Sequence, residues 1–167
     1  MRLIGLDPGF ASFGLVVWEG GHFVDAQVWR SAKGEGKAVD DNMLRVRSLS
    51  GWLRGWLVGA RGMCVESMSF PRSAAVVHKM GIVWGATVTA SDLPVFNLSP
   101  QAVRKLLDLP KGASKAEIQA CVLQLHPELA ALAPGQKTLL EHHYDAAAVL
   151  IAWLRTEQGR FLTGGEP

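Results

Sequence analysis

The chain is poor in cysteine, in net charge and in long apolar runs, and each scarcity removes a class of explanation. Cys64 and Cys121 are its only two cysteines. They lack the spacing of a metal-binding pair and are too few for a disulfide-stapled scaffold, so two buried thiols in a cytoplasmic protein are expected. A formal net charge of +2 excludes a general polyelectrolyte binder; a nucleic-acid partner would need a local basic patch. No apolar stretch reaches the roughly 20 residues of a membrane-spanning helix. Gly81 to Ala90 is short and carries threonines, so no membrane partner is expected. Nothing repeats internally. The 167 residues, 49% apolar and 19% charged, fit one globular domain, expected over 1–160 with a flexible tail over 161–167.

What the chain does have is acidic residues at the ends of apolar runs. Asp7 ends Leu3-Ile4-Gly5-Leu6, and Glu66 ends Gly62-Met63-Cys64-Val65. His142 and Asp145 flank the start of the apolar run from Tyr144 to Leu154. A carboxylate ending a buried strand is costly unless a cation or hydrogen bonds compensate it. Several on neighbouring elements point to a site for hard divalent metals.

The intervening pattern supplies the scaffold. Residues 2–6, 14–18 and 22–30 read as strands joined by short turns, hence an antiparallel meander. Asp40-Asp41-Asn42 offers caps for a helix whose apolar positions are Met43, Val46, Leu49, Leu53 and Leu57, with Arg45, Arg47 and Arg54 outside. A strand over 62–66, a helix over 73–90 and a strand over 94–98 follow. Short helices near 100–107 and 115–125 precede a final helix from about 139 to 157. The order βββαβαβαα implies a mixed α/β fold, a five-stranded sheet flanked by helices. In such sheets ligands bind at the carboxyl ends of the parallel strands, where Asp7 and Glu66 sit. If those strands are adjacent, one metal lies within reach of both. His142 and Asp145, three apart, share a helix face; Glu141 shares it too, and His143 faces elsewhere.

These residues resemble the RuvC family of Holliday junction resolvases, of the ribonuclease H and integrase fold. The resemblance is carried by Gly5-Leu6-Asp7-Pro8-Gly9 with Gly14, by Val65-Glu66, by Leu93-Pro94-Val95-Phe96, and by His142-His143-Tyr144-Asp145-Ala146-Ala147-Ala148. It implies a ribonuclease H-like fold and catalytic metal ligands Asp7, Glu66, His142 and Asp145 holding two Mg²⁺ or Mn²⁺ ions. It also implies a homodimer making paired nicks in a four-way DNA junction, with 5′ phosphates as products, in recombination and repair; a branch-migration motor is a candidate partner. Arg104 and Lys115 match family lysines resembling phosphate contacts, assisted by Lys105 and Lys111. Many members place a junction-opening aromatic three positions after the glutamate; here that position is Ser69 and Phe70 is next to it. Arg72 and Lys79 are candidates for the same DNA surface.

Each residue also has a plainer reading. Asp7 caps the Pro8-Gly9 turn, Glu66 pairs with Arg72 or Lys79, Phe70 is a core anchor, and His142 is a solvated surface histidine with Glu141 the competing ligand. Trp52 and Trp56 share a face and belong to the core. Gly81, Gly85 and Ala86 serve either packing on the sheet or a two-fold dimer face. Three further functions stay open: another ribonuclease H-like nuclease (a ribonuclease H or a transposase core), a non-catalytic junction binder, and a phosphate-binding domain of the actin and sugar-kinase type.

Overall fold

The computed structural model describes residues 1–31, 38–67, 73–132 and 137–164, so the expectations for Phe70, Arg72 and the last three residues lie outside the described residues. Three strands open the fold: β1 (Arg2–Asp7), β2 (Ser12–Glu19) and β3 (His22–Arg30). Helix α1 (Ala38–Leu57), strand β4 (Met63–Glu66), helix α2 (Ala74–Val88) and strand β5 (Val95–Leu98) follow. The sheet runs in the order β3-β2-β1-β4-β5. The first three strands are antiparallel, whereas β4 runs parallel to both β1 and β5. The expected mixed five-stranded α/β architecture is therefore the one adopted, and Asp7 and Glu66 end adjacent parallel strands.

Strand alternation sorts the side chains into two cores. Ile4, Leu6, Met63 and Val65 pack with Leu49, Leu53 and Val83 of α1 and α2. Leu3, Val16 and Cys64 point to the opposite face and pack with Ala146 to Trp153. Continuing the same alternation puts Asp7, Ser12 and Glu66 on this second face.

Helices α3 (Pro100–Leu106), α4 (Lys115–Leu125) and α5 (Leu129–Leu132) lead to α6 (Lys137–Leu154), the helix that covers this face. From Ala146 to Trp153 every residue of α6 is buried, because the sheet lies on one side and α3 and α4 on the other. Two glycines let it approach. A Cβ at Gly5 would lie 2.4 Å from the carbonyl oxygen of Ala146, and one at Gly14 would lie 2.2 Å from that of His142. Both are far inside van der Waals contact, so the two positions admit hydrogen alone.

The structure corrects several boundaries. The last helix does not reach residue 157: α6 stops at Leu154, and Thr156, whose side chain accepts from the Gly159 N–H, caps a separate helix α7 (Glu157–Thr163). Helical structure thus extends past residue 161, where the tail was expected to begin. The short helix α5 has no counterpart among the expected elements. Helix α1 begins at Ala38, so Asp41 lies inside it and accepts from Arg45 at 2.8 Å. Arg45 is consequently half-buried instead of outward, and Met43 is 54% exposed instead of core. In α2 the small residues divide: Ala86 is buried on the sheet, whereas Gly81 and Gly85 face outward. Both cysteines are free, Cys64 buried and Cys121 partly so. Among the described residues no helix is long and apolar enough to cross a membrane.

Candidate active site

Asp7, Glu66, His142 and Asp145 line one cleft of about 330 Å³. Arg104 and Lys115 line the same cleft, together with the apolar Pro100, Val103 and Ile118. Four elements supply it: the carboxyl ends of β1 and β4, the first half of α6, and the α3–α4 segment.

The imidazole of His142 is held at both nitrogens. Nδ1 lies 2.7 Å from Asp7 Oδ2, and Nε2 lies 2.5 Å from Ser12 Oγ. With Nδ1–H donating to the carboxylate, the Ser12 hydroxyl donates to Nε2 of the neutral ring or accepts from the protonated one. The hydrogen bond to Asp7 raises the His142 pKa against partial burial. Ser12 was not anticipated. Its signal was parity: it lies two residues before Gly14, which is paired with Asp7, so it emerges on the same face.

His143 has the opposite character. It is 1% exposed, and burial, with the charge of His142 adding to it, pushes its pKa down to about 4. It is a neutral core residue, as the helical spacing required.

The cleft holds more negative charge than its basic groups neutralise. Burial, then the charges of Asp7 and Asp145, push Glu66 up to about 7, with Arg104 and Lys115 only partly opposing them. Asp145 is raised as well, by burial and then by Asp7. Lys115 answers this excess: its Nζ lies 3.0 Å from Asp145 Oδ2 and 3.4 Å from Glu141 Oε2. Partial burial opposes the ammonium charge, but the bonds and charges of Asp145 and Glu141 prevail and raise its pKa.

Fit to a divalent cation was tested on the donor set. Three carboxylates, hard oxygen donors, face one open cleft, and burial followed by mutual repulsion raises the pKa of two of them. Among the described residues no three His, Cys, Asp or Glu side chains close around a single point. The donors therefore suit a hard cation in chemistry but close no ligand set: Asp7 is engaged by His142 and Asp145 by Lys115.

The remaining candidates separate. Arg104 donates from Nε to the Ala113 carbonyl and from Nη1 to that of Pro100, which fixes its guanidinium at the cleft wall. Lys105 and Lys111 are exposed and do not line the cleft. Lys79, on α2, is also outside it: its Nζ sits 5.3 Å from the ring centre of Phe10, with Arg45 at the same distance from that ring. Among the described residues no ion pair links Lys79 to Glu66.

Two solved structures share this architecture. Thermus thermophilus RuvC is 22% identical over 98% of this chain and 97% of that one, with a TM-score of 0.71. The T. thermophilus RuvC structure in complex with Holliday junction substrate is 20% identical over 98% and 97%, with a TM-score of 0.73. No protein-family model and no curated protein matches the chain. At this identity the likeness carries the fold, here the ribonuclease H-like sheet that the motifs implied.

Proposed function

We propose that the protein is a Holliday junction resolvase of the RuvC type, an endodeoxyribonuclease making paired nicks in four-way DNA junctions. The observation that carries this reading is the convergence of Asp7, Glu66, His142 and Asp145 on one cleft with Arg104 and Lys115. The fold shared along almost the whole length with T. thermophilus RuvC, one structure of which contains a Holliday junction substrate, supports this substrate class. The junction is two-fold symmetric, so two cleavage centres in a homodimer would match it. In support, Val77, Gly81, Gly85 and Val88 form one outward face of α2, the valines 45% and 40% exposed and the glycines open.

Asp7, Glu66 and Asp145, with His142, would hold Mg²⁺ or Mn²⁺. When bound, such ions activate water and stabilise the leaving oxygen of an in-line phosphoryl displacement. The net reaction adds water across the phosphodiester, breaking the P–O3′ bond and leaving a 5′ phosphate and a 3′ hydroxyl.

The chain's own side chains perform the rest. Arg104 presents a fixed guanidinium to the non-bridging oxygens of the scissile phosphate. Lys115 adds a second positive charge on a flexible stem. His142 keeps a proton at Nδ1 shared with Asp7, which orients that carboxylate, and Ser12 fixes the ring plane. The apolar wall of Val103 and Ile118 limits water around the reacting phosphate and so strengthens these interactions.

The test is cleavage of a synthetic four-way junction beside a linear duplex and an RNA–DNA hybrid, with Mg²⁺ or Mn²⁺. Symmetric nicking of the junction is expected, and Asp7→Asn and Asp145→Asn should abolish it while junction binding in Ca²⁺ survives. Preferential cleavage of the hybrid would replace the substrate class. Junction binding without nicking would make the chain a non-catalytic junction binder.

A further inference from the structure

Lys115 and Glu141 together form an arrangement that neither phosphate binding nor metal ligation explains. Lys115 is the first residue of α4, whose start is held by a capping box: Ser114 Oγ accepts from the Glu117 N–H while the Glu117 carboxylate accepts from the Ser114 N–H. The backbone there is fixed, and the four-carbon side chain is 61% exposed and able to turn. It points at α6, where Glu141 and Asp145 lie one turn apart.

The two carboxylates it meets are not equivalent. Asp145 is 17% exposed and lines the cleft; Glu141 is 61% exposed and does not. Glu141 meets the same ammonium at 3.4 Å and lines a separate depression with Lys115, Tyr144 and Asp145. Among the described residues it pairs with no other cation. Its position suits gripping Lys115 and leaves it outside the space where Asp7, Glu66 and Asp145 converge.

We infer that Lys115 is a built-in counter-ion of the cleft. Gripped by Glu141, its ammonium occupies Asp145 until a divalent cation displaces it, and the displaced ammonium then serves the DNA phosphate. This rests on the reading of the cleft as a metal-dependent nuclease site, and it makes Glu141 a positioning residue instead of a metal ligand.

The physical argument is exclusion. A divalent ion binds a carboxylate oxygen at roughly 2.0 to 2.6 Å. An ammonium 3.0 Å from Asp145 Oδ2 would stand against that ion with a like charge, so the two cannot share the oxygen. A phosphate that draws Lys115 away frees Asp145 Oδ2, and a metal on that oxygen frees Lys115. Substrate and metal binding are then reciprocally coupled. The carboxylates carry a cation at every stage, which limits their mutual repulsion before metal arrives.

The experiment is calorimetric titration of the DNA-free protein with Mn²⁺. Lys115→Met and Lys115→Gln should bind Mn²⁺ about fivefold more tightly than wild type, the scale of one partly exposed ion pair. Lys111→Met, which removes an exposed lysine of the same segment, should match wild type. Glu141→Gln should bind Mn²⁺ at least as tightly as wild type. In a second titration, on wild type saturated with uncleavable junction DNA, Mn²⁺ should bind more weakly when the crossover phosphates are replaced by methylphosphonates. Equal Mn²⁺ affinity in wild type and both Lys115 variants would overturn the counter-ion while leaving the nuclease reading intact. A tenfold loss of affinity in Glu141→Gln would make Glu141 a ligand and overturn its positioning role. No Mn²⁺ binding by any variant would overturn both the inference and the reading beneath it.

Discussion

Glu66→Gln is the most revealing substitution, because it should improve the fold while destroying the site. The Glu66 carboxyl is pushed from 4.5 to about 7 by burial, by Asp7 and by Asp145. Its folded-state pKa therefore exceeds its unfolded one, and the folded protein favours the neutral form. That contribution is fully present below about pH 4.5 and is lost as pH rises through about 7. At about 1.4 kcal/mol per unit, the shift sets an upper bound of about 3.5 kcal/mol, and the solvent-open side of the cleft reduces it to about 1 to 3 kcal/mol. Glutamine keeps the shape without the charge. In metal-free buffer at pH 8 it should raise the melting temperature by about 2 to 12 °C, given about 2 to 4 °C per kcal/mol for a domain of this size. At pH 4.5 the two proteins should melt together. Mn²⁺ at pH 8 should stabilise wild type more than the variant, and junction nicking by the variant should be lost. The assay is thermal melting followed by circular dichroism across pH, with and without metal. A variant no more stable than wild type at pH 8, or equally stabilised at both pH values, would refute the charge-repulsion reasoning.

Three further outcomes are expected. His143→Ala should cost about 2 to 4 kcal/mol by emptying a core site yet spare nicking at a temperature where the protein stays folded. In wild type, with His143 depressed to about 4, its contribution to stability should fall as pH drops from 6.5 toward 4; urea titrations across that range would show it. Gly14→Ala drives a Cβ to 2.2 Å from the His142 carbonyl oxygen, so α6 must shift, at about 1 to 3 kcal/mol and with loss of nicking out of proportion to the stability lost; comparing melting with cleavage rate checks this. Arg104→Ala should weaken junction binding and reduce the slope of log affinity against log salt by about one, measured by fluorescence anisotropy between low and moderate salt; an unchanged slope would place the guanidinium away from phosphate.

Much of the site is written in local pattern. Apolar runs ending in Asp7 and Glu66 declare strands whose carboxyl ends carry charge, and the three-residue interval from His142 to Asp145 determines that they share a helix face while His143 turns into the core. Alternation alone places Asp7, Gly5 and Leu3 on one side of β1, because side-chain direction in a strand has a period of two. These features depend on bonded geometry over a few residues, so they survive without knowledge of the fold. What required tertiary structure is every pairing between distant segments. That β1 lies beside β4 follows from the route of α1 over the sheet, and only this adjacency brings Asp7 next to Glu66. Ser12 meets His142 across 130 positions, and Lys115 meets Asp145 across 30. Periodicity gives Ser12 its face but neither contact its partner, because each is made by the way α4 and the β1–β2 edge pack on α6. The break between α6 and α7 has the same origin. A Cβ at Gly159 would stand 2.2 Å from the Trp153 carbonyl oxygen, so α7 folds back at a closeness that glycine alone allows. The chain's local chemistry thus determined which residues carry the charge, and packing decided which of those charges face each other, since electrostatic energy depends on distances that only the folded sheet and its covering helices establish.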